Sequence, residues 1–195
     1  MAEPLAPQTP HDVLNRAPQR RKLAIWFTGL SGAGKTTMAH AVAQQLRQAG
    51  RAAYVLDGDL LRTGLCSDLG FDAAARAENI RRAGEAAWLL ADAGLIAIGA
   101  FISPFAADRA RVRARFAAGE FIEIYCQCSL EECERRDVKG LYRRARANEL
   151  AEFTGISSPY EMPEAPELVL DTARQSIDAA CRQVMALLAA RQLPD

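Results

Sequence analysis

Eight residues near the start of the chain restrict its fold more than anything else in it: Gly29-Leu30-Ser31-Gly32-Ala33-Gly34-Lys35-Thr36. They fit the pattern G-x-x-x-x-G-K-[ST], and their flanks fit it as well. Before them runs Leu-Ala-Ile-Trp-Phe-Thr (23–28), short, apolar and β-rich, the pattern of a buried strand. After them Met38, Val42 and Leu46 recur at i, i+4 and i+8, the apolar stripe of a helix over 36–48 that Gly50 ends. A strand that turns through such a loop into a helix aims backbone N–H groups at one point, with the partial positive charge of the helix N-terminus behind them. That point suits phosphate. Gly29, Ser31, Gly32, Ala33, Gly34, Lys35, Thr36 and Thr37 are therefore the expected nucleotide-binding residues. Lys35 would reach the β and γ phosphates of ATP, and the Thr36 hydroxyl would reach Mg2+.

The same alternation continues down the chain. Strands are expected at 52–56, 95–101, 121–127 and 168–170. Between them lie a long helix at about 73–93, an Arg- and Ala-rich helix running to Ala118, and a helix opened by the capping box Ser129-Leu130-Glu131-Glu132. A last helix from about Ser176 carries Ile177, Cys181, Val184 and Leu188 on one face. Five strands alternating with helices predict an α/β fold: a three-layer P-loop core with a five-stranded parallel sheet and helices on both faces. Ligands of such sheets sit beyond the carboxyl ends of the strands. The 195 residues fit one domain over 21–195. Residues 1–20, with Pro4, Pro7, Pro10 and Pro18, are expected to form a flexible arm. The Gly-, Pro- and charge-rich stretch 138–163 is expected to be irregular and to form a mobile lid.

Composition removes several classes of function. Lys plus Arg equals Asp plus Glu at 24 each, so a general nucleic-acid binder is not expected. No apolar run approaches membrane-spanning length, and the N-terminus has no apolar signal core. The five cysteines lack the double C-x-x-C spacing of a zinc site. They are expected to be buried, reduced thiols of a cytoplasmic protein, with Cys126 and Cys128 facing one side. No Asn-Lys-x-Asp element is present to read guanine, which argues against a GTPase switch.

Further landmarks follow each strand. They are Leu56-Asp57-Gly58-Asp59-Leu60-Leu61-Arg62, Leu69-Gly70-Phe71, and Arg76-Ala77-Glu78-Asn79-Ile80. Later come Phe101-Ile102-Ser103-Pro104-Phe105, Asp137-Val138-Lys139-Gly140-Leu141-Tyr142 and Phe153-Thr154-Gly155-Ile156. In order and spacing, from about Ile25 to Thr172, this set resembles the adenylylsulfate kinase family. The resemblance implies transfer of the γ-phosphoryl of ATP to the 3′-hydroxyl of adenosine 5′-phosphosulfate, giving 3′-phosphoadenylyl sulfate for sulfate activation. It also implies a homodimer and a functional link to ATP sulfurylase.

By the same resemblance, Arg62 and Arg76 match the substrate arginines, which would fork onto the phosphosulfate oxygens. Asn79 would hydrogen-bond those oxygens or the base. Phe71 and Phe153 match the pair that sandwiches adenine. Lys139 and Leu141 belong to the lid, and Ile102 and Ser103 match the strand-end pair that lines the pocket. Lys35, Asp59 and Ser103 are the expected catalytic residues. Asp59 is placed nearest the attacking hydroxyl and, with Thr36, at the metal; Asp57 is the alternative carboxylate. Leu60 and Ala75 depart from the family, which often has Asn and Asp at those places.

Bland readings stand beside these. Arg81, Arg82, Arg111, Arg113 and Arg115 read as a solvated face, Phe105 and Phe121 as core, and His11 and His40 as incidental. Two rival functions remain: another small-metabolite kinase on the same core, and a nucleotide-binding regulatory subunit without turnover.

Overall fold

A computed structural model describes residues 22–191 of the chain; the expected arm at 1–20 lies outside them. Its sheet holds β1 (Leu23–Thr28), β2 (Ala53–Asp57), β3 (Ile96–Ala100), β4 (Phe121–Gln127) and β5 (Leu168–Asp171) in the order β2-β3-β1-β4-β5. Every pairing is parallel. The helices are α1 (Lys35–Gln48), α2 (Gly58–Arg62), α3 (Ala73–Asp92), α4 (Ala106–Arg113), α5 (Leu130–Arg136), α6 (Leu141–Arg146) and α7 (Ile177–Ala190).

β1 is central, and all six of its residues are buried. Its side chains alternate between two cores, as period-2 geometry requires. Leu23, Ile25 and Phe27 join Met38, Val42 and Leu46 of α1 and Val184 and Leu188 of α7. Ala24 and Trp26 join Ile80, Ala83 and Ala87 of α3 and Val112 of α4. The expected three layers are therefore present. In the second core Trp26 stacks on Phe101 with ring centroids 4.7 Å apart. Phe121 belongs to the same core, as expected, and all five cysteines are buried and unbridged. Among the described residues no helix is long and apolar enough to cross a membrane.

In four of the helices the side chain of the N-cap residue itself accepts a backbone N–H. Asp57 accepts from the Asp59 N–H, Asp72 from Ala75, Ser129 from Glu132 and Ser176 from Ala179. Three expectations are corrected. The helix after β3 ends at Arg113 rather than Ala118. The segment 138–163 is not irregular throughout, because it contains α6 and then a hydrogen-bonded turn in which the Phe153 carbonyl accepts from the N–H groups of Ile156, Ser157 and Ser158. Two of the arginines read as a solvated face, Arg82 and Arg113, are instead partly buried in ion pairs, while Arg81, Arg111 and Arg115 are exposed as expected. Arg113 forks onto Glu167 at 2.7 and 2.8 Å and also reaches Glu123, while Arg82 forks onto Asp68 and pairs with Glu78.

Candidate active site

The loop between β1 and α1 is shaped by contacts that only glycine permits. A Cβ on Gly29 (φ +150°) would come within 2.7 Å of the Cys126 carbonyl oxygen, and one on Gly32 (φ +75°) within 3.2 Å of the Cys133 carbonyl. Packed this closely onto the end of β4 and onto α5, the loop holds Lys35 in a buried position. The Lys35 ammonium donates to the Leu30 carbonyl at 2.7 Å. Burial pushes its pKa down from 10.5 to about 8. Arg136, which the sequence reading did not single out, donates to the carbonyls of Gly32 at 3.3 Å and Thr172 at 2.8 Å. Its signal lay in the Cys-Glu-Arg-Arg run after β4, where a helical arginine is indistinguishable from a surface one until the loop is folded beside it.

Across from this loop stands the end of β2. The Thr36 hydroxyl donates to one oxygen of Asp57 at 2.7 Å, and the other oxygen accepts the Asp59 N–H at 2.9 Å. Asp57, the alternative carboxylate of the sequence reading, is thus the one brought to Thr36. The Asp59 carboxylate, more exposed, pairs with Lys139 at the start of the lid. Thr36 and Asp57 put two hard oxygens side by side, the donor type that Mg2+ takes. Among the described residues there is no cluster of three or more His, Cys, Asp or Glu fit for a metal. Such an ion would draw its remaining ligands from phosphate and water, as Mg2+ at nucleotide sites does.

The expected acceptor residues converge on the neighbouring region. Arg62, the last residue of α2, donates to the carbonyls of Leu69 and Gly70, both at 3.1 Å, and lies 4.1 Å over the Phe71 ring. Arg76 donates to the Phe71 carbonyl at 2.6 Å and to the Glu152 carbonyl at 2.7 Å. One guanidinium therefore ties the backbone of Phe71 to that next to Phe153. Every hydrogen bond described for these two arginines ends on a neutral carbonyl. The Arg76 pKa is lowered, first by burial and then by Arg62. Phe71 is 59% exposed, whereas Phe153 is buried edge-on against Tyr142. Asn79 is buried on α3 with its Oδ1 unpartnered, an acceptor left without a donor in the protein.

The residues after β3 meet the end of β1. The Ile102 carbonyl accepts from the Thr28 hydroxyl at 2.8 Å. Ser103 is buried in the left-handed region at φ +38°. Its hydroxyl accepts from the Trp26 indole at 3.2 Å and donates to Thr28 at 2.8 Å. Leu141 is partly buried and packs on the first core, and the Tyr142 hydroxyl donates to the Ser31 carbonyl at 2.9 Å, joining α6 to the phosphate loop. Thr37 and His40 lie on the exposed side of α1.

With this geometry in view, the comparisons with known proteins are unambiguous. The family described as Adenylylsulphate kinase matches residues 21–171. The adenylyl-sulfate kinase of Acaryochloris marina is 55% identical over 179 residues, covering 91% of this chain and 87% of the relative. The APS kinase of Mycobacterium tuberculosis, solved in complex with AMPPNP and APS, superposes with a TM-score of 0.84 at 49% identity, covering 88% of this chain and 99% of that one. A hexameric APS kinase from Thiobacillus denitrificans gives a TM-score of 0.70 at 34% identity; 95% of this chain is covered and 32% of that one.

Proposed function

The chain belongs to the adenylylsulfate kinase family, and on that premise we propose that it transfers the γ-phosphoryl of ATP to the 3′-hydroxyl of adenosine 5′-phosphosulfate. The observation that carries the reading is a convergence at the end of β2. Asp57 meets Thr36 of the phosphate loop, Asp59 meets Lys139 of the lid, and Arg62 stands one helical turn further on.

Phosphoryl transfer needs positioning and charge neutralisation more than covalent chemistry from the protein. Lys35 and the loop N–H groups hold the triphosphate. Mg2+ suits the Thr36–Asp57 pair, where it would neutralise phosphate charge. Asp59 orients the acceptor hydroxyl and takes its proton, with Lys139 moving from Asp59 to phosphate oxygens as ligands arrive. Arg62, Arg76 and Asn79 receive the phosphosulfate, Phe71 and Phe153 enclose the adenine, and Ile102 and Ser103 line the pocket through their backbone. Leu141 fixes the lid helix. The family reading extends to a cytoplasmic homodimer that acts after a sulfurylase.

ADP release tests the proposal, with ATP and Mg2+ and either adenylyl sulfate or a panel of nucleoside monophosphates and sugar acids. Turnover with adenylyl sulfate alone, lost in Asp59→Ala, is the expected result. Activity only on another panel member would sink the substrate assignment. Nucleotide binding with silence throughout would favour a regulatory subunit.

A further inference from the structure

Arg109 lies on α4, outside every motif named above, and is 3% exposed. Each of its three guanidinium nitrogens makes a contact. Nε pairs with Glu123 at 2.8 Å, Nη1 donates to the Ser103 carbonyl at 2.7 Å, and Nη2 donates to the Glu161 carbonyl at 2.8 Å. Its planar group also lies 5.9 Å from the Tyr160 ring centroid.

The two carbonyls belong to segments far apart in the chain, one after β3 and one after the Phe153 turn. Ser103 closes the strand end with Ile102. Glu161 follows the tight turn that begins at Phe153, where the Phe153 N–H donates to Ser157 Oγ at 2.9 Å. Further bonds clamp the same junction. The Glu161 N–H donates to the Pro104 carbonyl at 2.8 Å, and the Glu161 carboxylate accepts the Ala106 N–H at 2.6 Å, capping α4. The Tyr160 and Thr28 hydroxyls are 3.0 Å apart, and Thr28 already donates to Ile102, so Tyr160 is the donor. A left-handed non-glycine residue persists only where its surroundings hold it, and here the Ser103 carbonyl is held by Arg109. Arginine suits the task because its rigid fork reaches two acceptors at a fixed angle; a lysine ammonium, a single point on a flexible stem, does not set that spacing.

We propose that Arg109 is a positioning residue for the acceptor nucleotide: by holding the Ser103 and Glu161 carbonyls on one guanidinium, it sets the separation between the Ile102–Ser103 wall and the Phe153 wall. This rests on the reading of those residues as the acceptor pocket. Arg109 has no described contact with the Gly29–Thr37 loop, so its loss acts on the acceptor and spares ATP.

The test uses two variants of the full chain. Arg109→Lys keeps the charge opposite Glu123 but loses the fork. Arg109→Met with Glu123→Gln removes both charges, so that no buried carboxylate is stranded. The KM for adenylyl sulfate should rise on the order of tenfold or more in the double variant and less in Arg109→Lys, with the KM for ATP within about twofold of wild type. Unchanged acceptor KM, or equal rises for acceptor and ATP, would overturn the proposal, since the latter is what general loosening of the fold produces. Should the double variant fail to fold, Arg109→Lys decides by the same ratio. Wild-type protein silent with adenylyl sulfate would sink the acceptor reading and this inference with it. An active wild type with indifferent variants would sink the inference alone.

Discussion

Lys35 illustrates what a phosphate site demands of a single residue. Buried in the ligand-free protein, its pKa falls to about 8, from 10.5 in an open chain. Between those values the unfolded chain binds the proton and the native one does not, so this group's contribution to stability rises with pH through that window. Below pH 8 the buried ammonium is at its most unfavourable. Lys35→Met should therefore stabilise the ligand-free protein at neutral pH by roughly 1–3 kcal/mol while abolishing turnover; a lower melting temperature than wild type would contradict this. Triphosphate supplies the missing counter-charge, so ATP binding near about pH 9 should take up close to one proton. Calorimetry in buffers of different ionisation enthalpy reads that directly. The neighbouring carboxylates make a second prediction. Asp57→Asn should raise the Mg2+ concentration needed for half-maximal rate by about tenfold or more, whereas Asp59→Asn should lower kcat with little change in Mg2+ demand. Motif order made most site residues legible before any coordinates. It did not show which of Asp57 and Asp59 meets Thr36, because both follow the same strand and only the turn into α2 separates their directions.

Among the elements, those with full periodicity were legible and those without it were not. β1 and β4 fall where the apolar runs place them, and α1 begins within one residue of its expected start. α2 and α6, of five and six residues, are too short to display a 3.6-residue stripe. Their stability comes from tertiary partners: Asp57 caps α2, while Tyr142 of α6 is buried against Phe153. Where long helices meet, packing outweighs intrinsic preference. A Cβ on Gly84 of α3 would come within 2.7 Å of Val112 on α4, a branched side chain with little room to rotate. Gly84→Ala should therefore destabilise the fold by about 1–3 kcal/mol despite alanine's higher helix propensity. Adding Val112→Ala should recover part of the loss, so that the double variant is more stable than the two single effects predict. Denaturant unfolding of the three variants checks this, and strict additivity would refute it.

At the scale of the whole molecule, alternation of strands and helices predicted a parallel three-layer sheet, but the order β2-β3-β1-β4-β5 comes only from the pairings. Nor did the sequence reveal that the expected lid has two unlike parts. Residues 138–152 touch the site through Lys139, through the Tyr142 hydroxyl on the Ser31 carbonyl and through the Glu152 carbonyl, whereas 153–161 are pinned by the Phe153 turn, Tyr160 and Glu161. In hydrogen exchange the exposed ends of the first part, at 138–140 and 147–152, should exchange quickly without ligand and slow when ATP and adenylyl sulfate bind, and the second should be slow throughout. Uniform exchange across 138–161 would show a single mobile unit. The arginines, finally, are sorted by company. Arg81, Arg82, Arg113, Arg135 and Arg136 have carboxylate partners, while Arg62 and Arg76 are held by carbonyl oxygens. A chain whose formal charges sum to zero thus keeps two guanidinium charges without carboxylate ion pairs side by side at Arg62 and Arg76. A polyanion diffusing toward it is steered there rather than to the surface at large, and it displaces no resident anion on arrival. Its association rate should fall as salt rises, even though the protein as a whole carries no charge to screen.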